Sequence, residues 1–243
     1  MIAAVAGSSS RARRSAPAPG GAELRRPGFV LGRGQRVGLY GGSFDPVHPG
    51  HLHVARTAAR RLRLDRLIWL VTARNPLKAA PPGESVVGRL ATIHRAAGGP
   101  GVIVTGLEAR IGAGYTVQTV RALQARFPTT RFVWIMGADG LTGFHRWRDW
   151  TAIARLAPIA VVARPGHAFK SRFSNFVQRF APARLPASAA ATLATRRPPA
   201  WVYLTAPLHH ASSTRLRESA GGARDRGPAG SPPNFPETAS DTA

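Results

Sequence analysis

Six short runs along the chain are almost wholly apolar: Val37–Tyr40, Leu67–Thr72, Val102–Thr105, Phe132–Met136, Ile159–Ala163 and Trp201–Thr205. Each has the length of a strand, and near-continuous apolarity predicts strands buried on both faces. Between them, helical patterns stand at about Gly50–Leu64, Ser85–Ala97, Thr116–Phe127 and Thr151–Leu156. Alternation of this kind predicts an α/β fold with a parallel sheet covered by helices on both faces, hence three layers. A further stripe, Phe169, Phe173, Phe176 and Phe180, repeats at helical spacing and predicts a helix packed on the core, with a membrane or partner surface as the other reading. The stretch 167–199 otherwise carries no specific signal.

The two ends read differently. Residues 1–35 are rich in Ser, Ala, Pro, Gly and Arg without a sustained period, and 220–243 are again Gly, Pro, Ser and Thr. Both are expected to be disordered tails around a single domain, 36–219, with a Rossmann-like doubly wound sheet. The first stretch lacks the apolar core of a secretory signal. Its Arg-rich, acid-poor composition leaves a transit role open, as it does a later start at a codon such as that of Val30 or Leu31.

Composition sharpens this picture. The chain has 243 residues, enough for one sizeable core. No apolar run approaches the roughly 20 residues needed to span a bilayer, so no membrane role is expected. The absence of cysteine excludes disulfides, thiolate nucleophiles and Cys-based metal sites, and fits a reducing, cytoplasmic setting. With 34 Lys plus Arg against 11 Asp plus Glu, the net charge of +23 points to acidic partners such as nucleotides, nucleic acid or anionic lipid. Only Lys78 and Lys170 are lysines. An Arg-, Ala-, Gly- and Pro-rich chain also arises from genomic base composition, so charge alone does not choose among partners.

In a doubly wound fold ligands bind beyond the carboxyl ends of the strands, and every polar cluster falls at such an end. Gly41-Gly42-Ser43-Phe44-Asp45-Pro46-Val47-His48-Pro49-Gly50-His51 follows the first strand and opens a helix. Two glycines let backbone approach a ligand, and a helix start offers N–H groups and a positive dipole end to phosphate. Pro49 suits the first helical turn. His48 and His51 stand three apart and can face one anion. The ending of a Walker A loop is missing. A plain turn with incidental histidines, or a metal site through His48, His51 and His53, are the other readings of these residues. A second cluster, Ala211-Ser212-Ser213-Thr214-Arg215-Leu216-Arg217, follows the last strand. There Ser212 can cap a helix whose first N–H groups point at phosphate, and Arg217 adds a planar, always-charged donor. A third, Gly137-Ala138-Asp139 with Phe144-His145-Arg146-Trp147-Arg148-Asp149-Trp150, follows the fourth strand, and Trp150 reads as a packing residue.

The first cluster resembles the Gly-Ser-Phe-Asp-Pro-x-His-x-Gly-His motif of the nucleotidylyltransferase superfamily. The second is similar to that superfamily's Ile-Ser-Ser-Thr-x-Ile-Arg signature, with Ala211 where Ile is usual. The third resembles the Gly-x-Asp…Phe-x-x-Trp segment of bacterial nicotinate-nucleotide adenylyltransferases, as do Asn75-Pro76-Leu77-Lys78, Tyr115-Thr116-Val117-Gln118-Thr119 and Arg164-Pro165-Gly166. The resemblance runs from about 36 to 218.

It implies transfer of the adenylyl group of ATP to nicotinate mononucleotide, with pyrophosphate released. Mg²⁺ would enter with ATP and need few protein ligands. The resemblance gives His48 and His51 to the triphosphate. Gly42, Ser43, Phe44 and Asp139 complete the ATP side, with Ser212, Ser213 and Arg217 opposite. Lys78 is the candidate for the mononucleotide phosphate, and Thr116, Trp147 and Arg148 for the nicotinate pocket. Two rivals stay open. One is another nucleotidylyltransferase of the same fold, such as the pantetheine-phosphate enzyme, which typically has Thr in place of His48 and lacks the Phe-x-x-Trp segment. The other is a basic nucleic-acid-binding protein, although no aromatic stacking module is evident and no specific nucleic acid partner is expected. Oligomeric state is not readable.

Overall fold

The computed structural model describes residues 27–73, 83–163 and 173–205. Its strands are β1 (Arg36–Gly42), β2 (Arg66–Val71), β3 (Val102–Thr105), β4 (Arg131–Gly137), β5 (Ile159–Val162), β6 (Arg184–Leu185) and β7 (Trp201–Leu204). All pair in parallel, in the order β3-β2-β1-β4-β5-β7-β6. The chain first runs outward from β1 through β2 to β3, then returns to β4 on β1's other side. That reversal makes the junction of β1 and β4 the topological switch point, where such sheets bind ligands.

Alternating side chains explain why the strands read as continuous apolar runs. Val37, Leu39, Ile68, Leu70, Trp134 and Ile159 belong to one buried cluster, and Tyr40, Leu67, Trp69, Ile135, Ala160 and Val202 to another. A period of two places these clusters on opposite faces of the sheet, and both faces are covered. Over the second face lie α1 (Pro49–Arg61) and α2 (Val86–Ala97), whose Val54, Ala55, Ala58 and Ile93 are buried there. Over the first lie α4 (Thr116–Arg126) and α6 (Trp150–Leu156). Two short helices, α3 (Leu107–Arg110) and α5 (Ala138–Gly143), follow β3 and β4, and a 3₁₀ turn, Phe144–Arg146, continues α5. Gly38 is required by this packing: a Cβ there would lie 2.5 Å from Leu64 Cδ1 and 2.6 Å from Ile135 Cδ1.

Two expectations need correction. The stripe from Phe169 to Phe180 is not one helix. Ser174 caps α7 (Asn175–Arg179) by accepting from the Val177 N–H at 3.4 Å. The helix therefore begins after Phe173, which is 63% exposed, while Phe176 and Phe180 turn inward among Phe144, Trp150 and Trp201. Phe169 lies outside the described residues. The boundary at 35 is also too late. Leu31 is buried, Phe29 stacks on Phe127 at 5.9 Å and the Gly34 N–H donates to the Thr129 carbonyl at 2.9 Å. Apolar Phe29 and Leu31 give that segment something to bury. Residues 1–26 and 206–243 lie outside the described residues.

Candidate active site

At the switch point the ends of β1 and β4 open into a cleft of about 260 Å³. Gly41 makes its floor possible. A Cβ there would lie 2.5 Å from Trp134 Cη2, so only glycine lets the buried indole rest against the strand end. Gly42 and Ser43 form one wall, joined by Thr72 from the end of β2. Tyr115, Thr116, Trp147 and Arg148 also line the cleft.

The loop after β1 holds the histidines by backbone bonds. His48 is the N-cap of α1, and its Nδ1 accepts from the Gly50 N–H at 3.1 Å. His51, at the third helical position, returns the contact: its Nδ1 accepts from the His48 N–H at 3.3 Å. Histidine here takes both roles of a capping box. A ring whose Nδ1 accepts carries its proton on Nε2, so each imidazole is set as an Nε2–H donor. The rings lie 3.9 Å apart between centroids. They sit at a helix N-terminus, where the dipole favours anions. Phe44 backs this pair. It is buried, in the left-handed region at φ 48°, with its ring edge-on to His51 at 5.1 Å.

Thr116 is the first residue of α4, and Gln118 Oε1 accepts from the Gly114 and Tyr115 N–H groups just before it, at 3.0 and 3.2 Å. The start of this helix is another natural anion site. Trp147 follows the 3₁₀ turn, half-buried, with its ring perpendicular to those of Trp134 at 6.1 Å and Phe144 at 5.3 Å. Exposed Arg148 lies over the Tyr115 ring at 4.8 Å. Deeper in, α3 brings Glu108, a buried carboxyl that accepts from the Thr119 hydroxyl at 3.1 Å. Burial pushes its pKa up, against hydrogen bonds from Thr72 and Thr119.

The fold brings Gly42, Ser43, Thr116, Trp147 and Arg148 into one cleft. His48 and His51 stand beside it at the start of α1. The Phe44 ring packs behind His51, which leaves its backbone as the part able to meet a ligand. Asp139 sits in α5, immediately beyond β4, and does not line the cleft. Lys78, Ser212, Ser213 and Arg217 lie outside the described residues, as does Arg164-Pro165-Gly166. Sequence reasoning missed Glu108 and the lining residues Thr72, Trp134 and Arg146. Glu108 left one signal: it is among only eleven acids in the chain and closely follows a strand. Trp150 packs on Phe144 and Phe180, as expected.

Among the described residues no group of three or more His, Cys, Asp or Glu side chains could hold a metal ion. No helix among them is long and apolar enough to cross a membrane.

Comparison with known proteins agrees with this geometry. A family described as cytidylyltransferase-like matches residues 39–219. A relative from a Caulobacter species named probable nicotinate-nucleotide adenylyltransferase is 56% identical over 182 residues, 75% of this chain and 96% of its own length. A relative of the same name from Methylorubrum extorquens is 52% identical over 75% of this chain and 98% of its own. Among solved structures, Plasmodium falciparum nicotinic acid mononucleotide adenylyltransferase complexed with NaAD shares the fold, with a TM-score of 0.57 at 13% identity over 76% of this chain and 83% of its own.

Proposed function

This chain belongs to the cytidylyltransferase-like family and, within it, to the nicotinate-nucleotide adenylyltransferases, and from that premise we infer how its own residues divide the work. The enzyme transfers the adenylyl group of ATP to nicotinate mononucleotide. A phosphate oxygen of the mononucleotide attacks the α-phosphorus of ATP, the bond to the β-phosphate oxygen breaks, and pyrophosphate leaves. Such a transfer asks chiefly for positioning and for stabilisation of charge on the leaving group.

The observation that carries this assignment is the single cleft joining the Gly42–Ser43 wall to the Thr116, Trp147 and Arg148 wall. ATP lies along the first, with its triphosphate against the α1 N-terminus. His48 and His51 are the proposed catalytic residues, giving their Nε2–H groups to the β- and γ-phosphates as charge builds there. Nicotinate lies on the second wall, its ring stacked on Trp147 and its carboxylate met by backbone N–H groups at the start of α4 and near Arg148. Ser212, Ser213 and Arg217 are proposed to hold the triphosphate from the other side, Lys78 the mononucleotide phosphate, and Asp139 the nucleoside end of ATP. Mg²⁺ is proposed to arrive with ATP, where it would neutralise phosphate charge and need few protein ligands. With ATP as substrate, the proposed setting is the cytoplasm.

Replacing His51 by Ala is expected to lower kcat about 10²–10³-fold, the usual loss for one donor to developing charge. His48→Asn keeps a cap acceptor but loses the imidazole donor, so it is expected to lose activity with little change in Tm. His53→Ala, two residues along the helix from His51, serves as control and should act like the parent. Rates from pyrophosphate release, with melting measured alongside, check this. Equal losses in His51→Ala and His53→Ala at unchanged Tm would overturn the triphosphate assignment.

A further inference from the structure

Arg89 is 1% exposed, on the first turn of α2, behind the ATP-side wall of the cleft. Its Nη1 donates to the carbonyl oxygens of Ser43 at 2.6 Å and Thr72 at 2.8 Å. Its Nη2 reaches the Ala73 carbonyl at 3.3 Å, and its Nε the Glu84 carbonyl at 3.0 Å. Four of the guanidinium's five N–H groups therefore go to backbone. Burial pulls its pKa down, and the charges of Asp45 and Glu84 oppose that. Asp45, in the same loop as Ser43, accepts from the Gly83 N–H at 2.9 Å, a second tie between the β1–α1 loop and the entry to α2.

Burying a cation on carbonyl groups is costly unless each bond is made. These bonds have a directional consequence. In a trans peptide the C=O and N–H point in opposite senses. With the Ser43 and Thr72 oxygens drawn to Arg89, the N–H groups of Phe44 and Ala73 must point away from it. Ser43 and Thr72 themselves line the cleft. Without the guanidinium, three carbonyl oxygens crowd one another, and a peptide flip would turn an oxygen toward the bound phosphates.

We propose that Arg89 is a positioning residue for adenylyl transfer: it sets the peptide planes after β1 and β2 so that the loop offers N–H groups, not carbonyl oxygens, to the triphosphate. The proposal rests on the assignment of the β1–α1 loop to ATP. Lysine offers its three donors from a single atom and lacks the planar fork that spans the Ser43, Thr72 and Ala73 oxygens. Arg89→Lys is expected to lower kcat about 10²-fold, since small misplacements of aligned groups cost that much. KM for nicotinate mononucleotide should change little. In Arg89→Ala, millimolar guanidinium should restore activity, and ammonium at equal ionic strength should not.

The parent enzyme supplies an arm that needs no variant. On adding Mg-ATP, the amide proton resonances of Phe44 and Ala73 should move downfield. A folded Arg89→Lys with kcat and KM within twofold of the parent would reduce Arg89 to a structural tie and overturn the proposal. So would unmoved Phe44 and Ala73 resonances in a parent shown to bind ATP. A parent that turns over but fails either test sinks this inference alone, whereas a parent that neither binds ATP nor turns over sinks the assignment beneath it.

Discussion

Glu108 shows how one residue ties pH to stability. Its pKa is raised in the folded chain, chiefly by burial, so the folded state favours the protonated carboxyl. That stability is whole below the ordinary value of 4.5 and is lost as pH rises through the raised folded value. Glu108→Gln keeps an oxygen for the Thr119 hydroxyl and never ionises. Its Tm is expected to match the parent's in acid and to exceed it increasingly as pH rises to neutrality, measured by thermal melting across that range. Parallel Tm profiles would show a carboxyl solvated alike in both states. At this scale the sequence was a partial guide. His48 and His51 stood out because two histidines beside glycines at a strand end suit phosphate. That His48 Nδ1 would accept from the Gly50 N–H, and His51 Nδ1 from the His48 N–H, was not legible, since histidine is an uncommon cap. Arg89 gave no sign at all: one arginine among so many on a basic chain looks like surface, and only folding shows its burial.

Elements were read best where both faces of a strand are covered. The six apolar runs correspond to β1 through β5 and β7, because burial on two sides removes any need for polar alternation. β6 was missed, being two residues long at the sheet edge. The phenylalanine stripe misled because period alone does not say where a helix starts. Ser174 decides that: Phe173 precedes the helix and is exposed, while Phe176 and Phe180 are buried. Phe176→Ala should therefore lower unfolding free energy by about 3–5 kcal/mol, the cost of a large cavity. Phe173, 63% exposed, buries less surface, so Phe173→Ala should cost less than Phe176→Ala. Denaturant melts of the two variants check this, and equal losses in both would contradict it.

Across the whole molecule, composition and burial together say what the N-terminal residues contribute. Residues 1–26 are rich in Arg, Ser, Pro and Gly, so their removal should leave activity within about twofold and stability within about 0.5 kcal/mol. Removing residues 1–33 also takes Phe29 and Leu31 and should cost about 2–4 kcal/mol, by loss of their burial. Denaturant melts of both truncations measure the difference, and equal stabilities would show that Phe29 and Leu31 contribute nothing. The cleft at the switch point is proposed to hold a nicotinate ring against Trp147 and to read its carboxylate with backbone N–H groups. Nicotinate and nicotinamide mononucleotides present nearly the same ring face, so stacking cannot separate them. An amide in place of the carboxylate turns an NH₂ toward N–H donors and leaves a buried donor unpaired, at about 1–3 kcal/mol. The deciding quantity is kcat/KM for the two mononucleotides with ATP, followed by dinucleotide formation and pyrophosphate release. Nicotinate adenine dinucleotide is expected as the favoured product, by roughly tenfold to several hundredfold; equal use of both mononucleotides, or no dinucleotide from nicotinate mononucleotide, would refute this reading of the cleft.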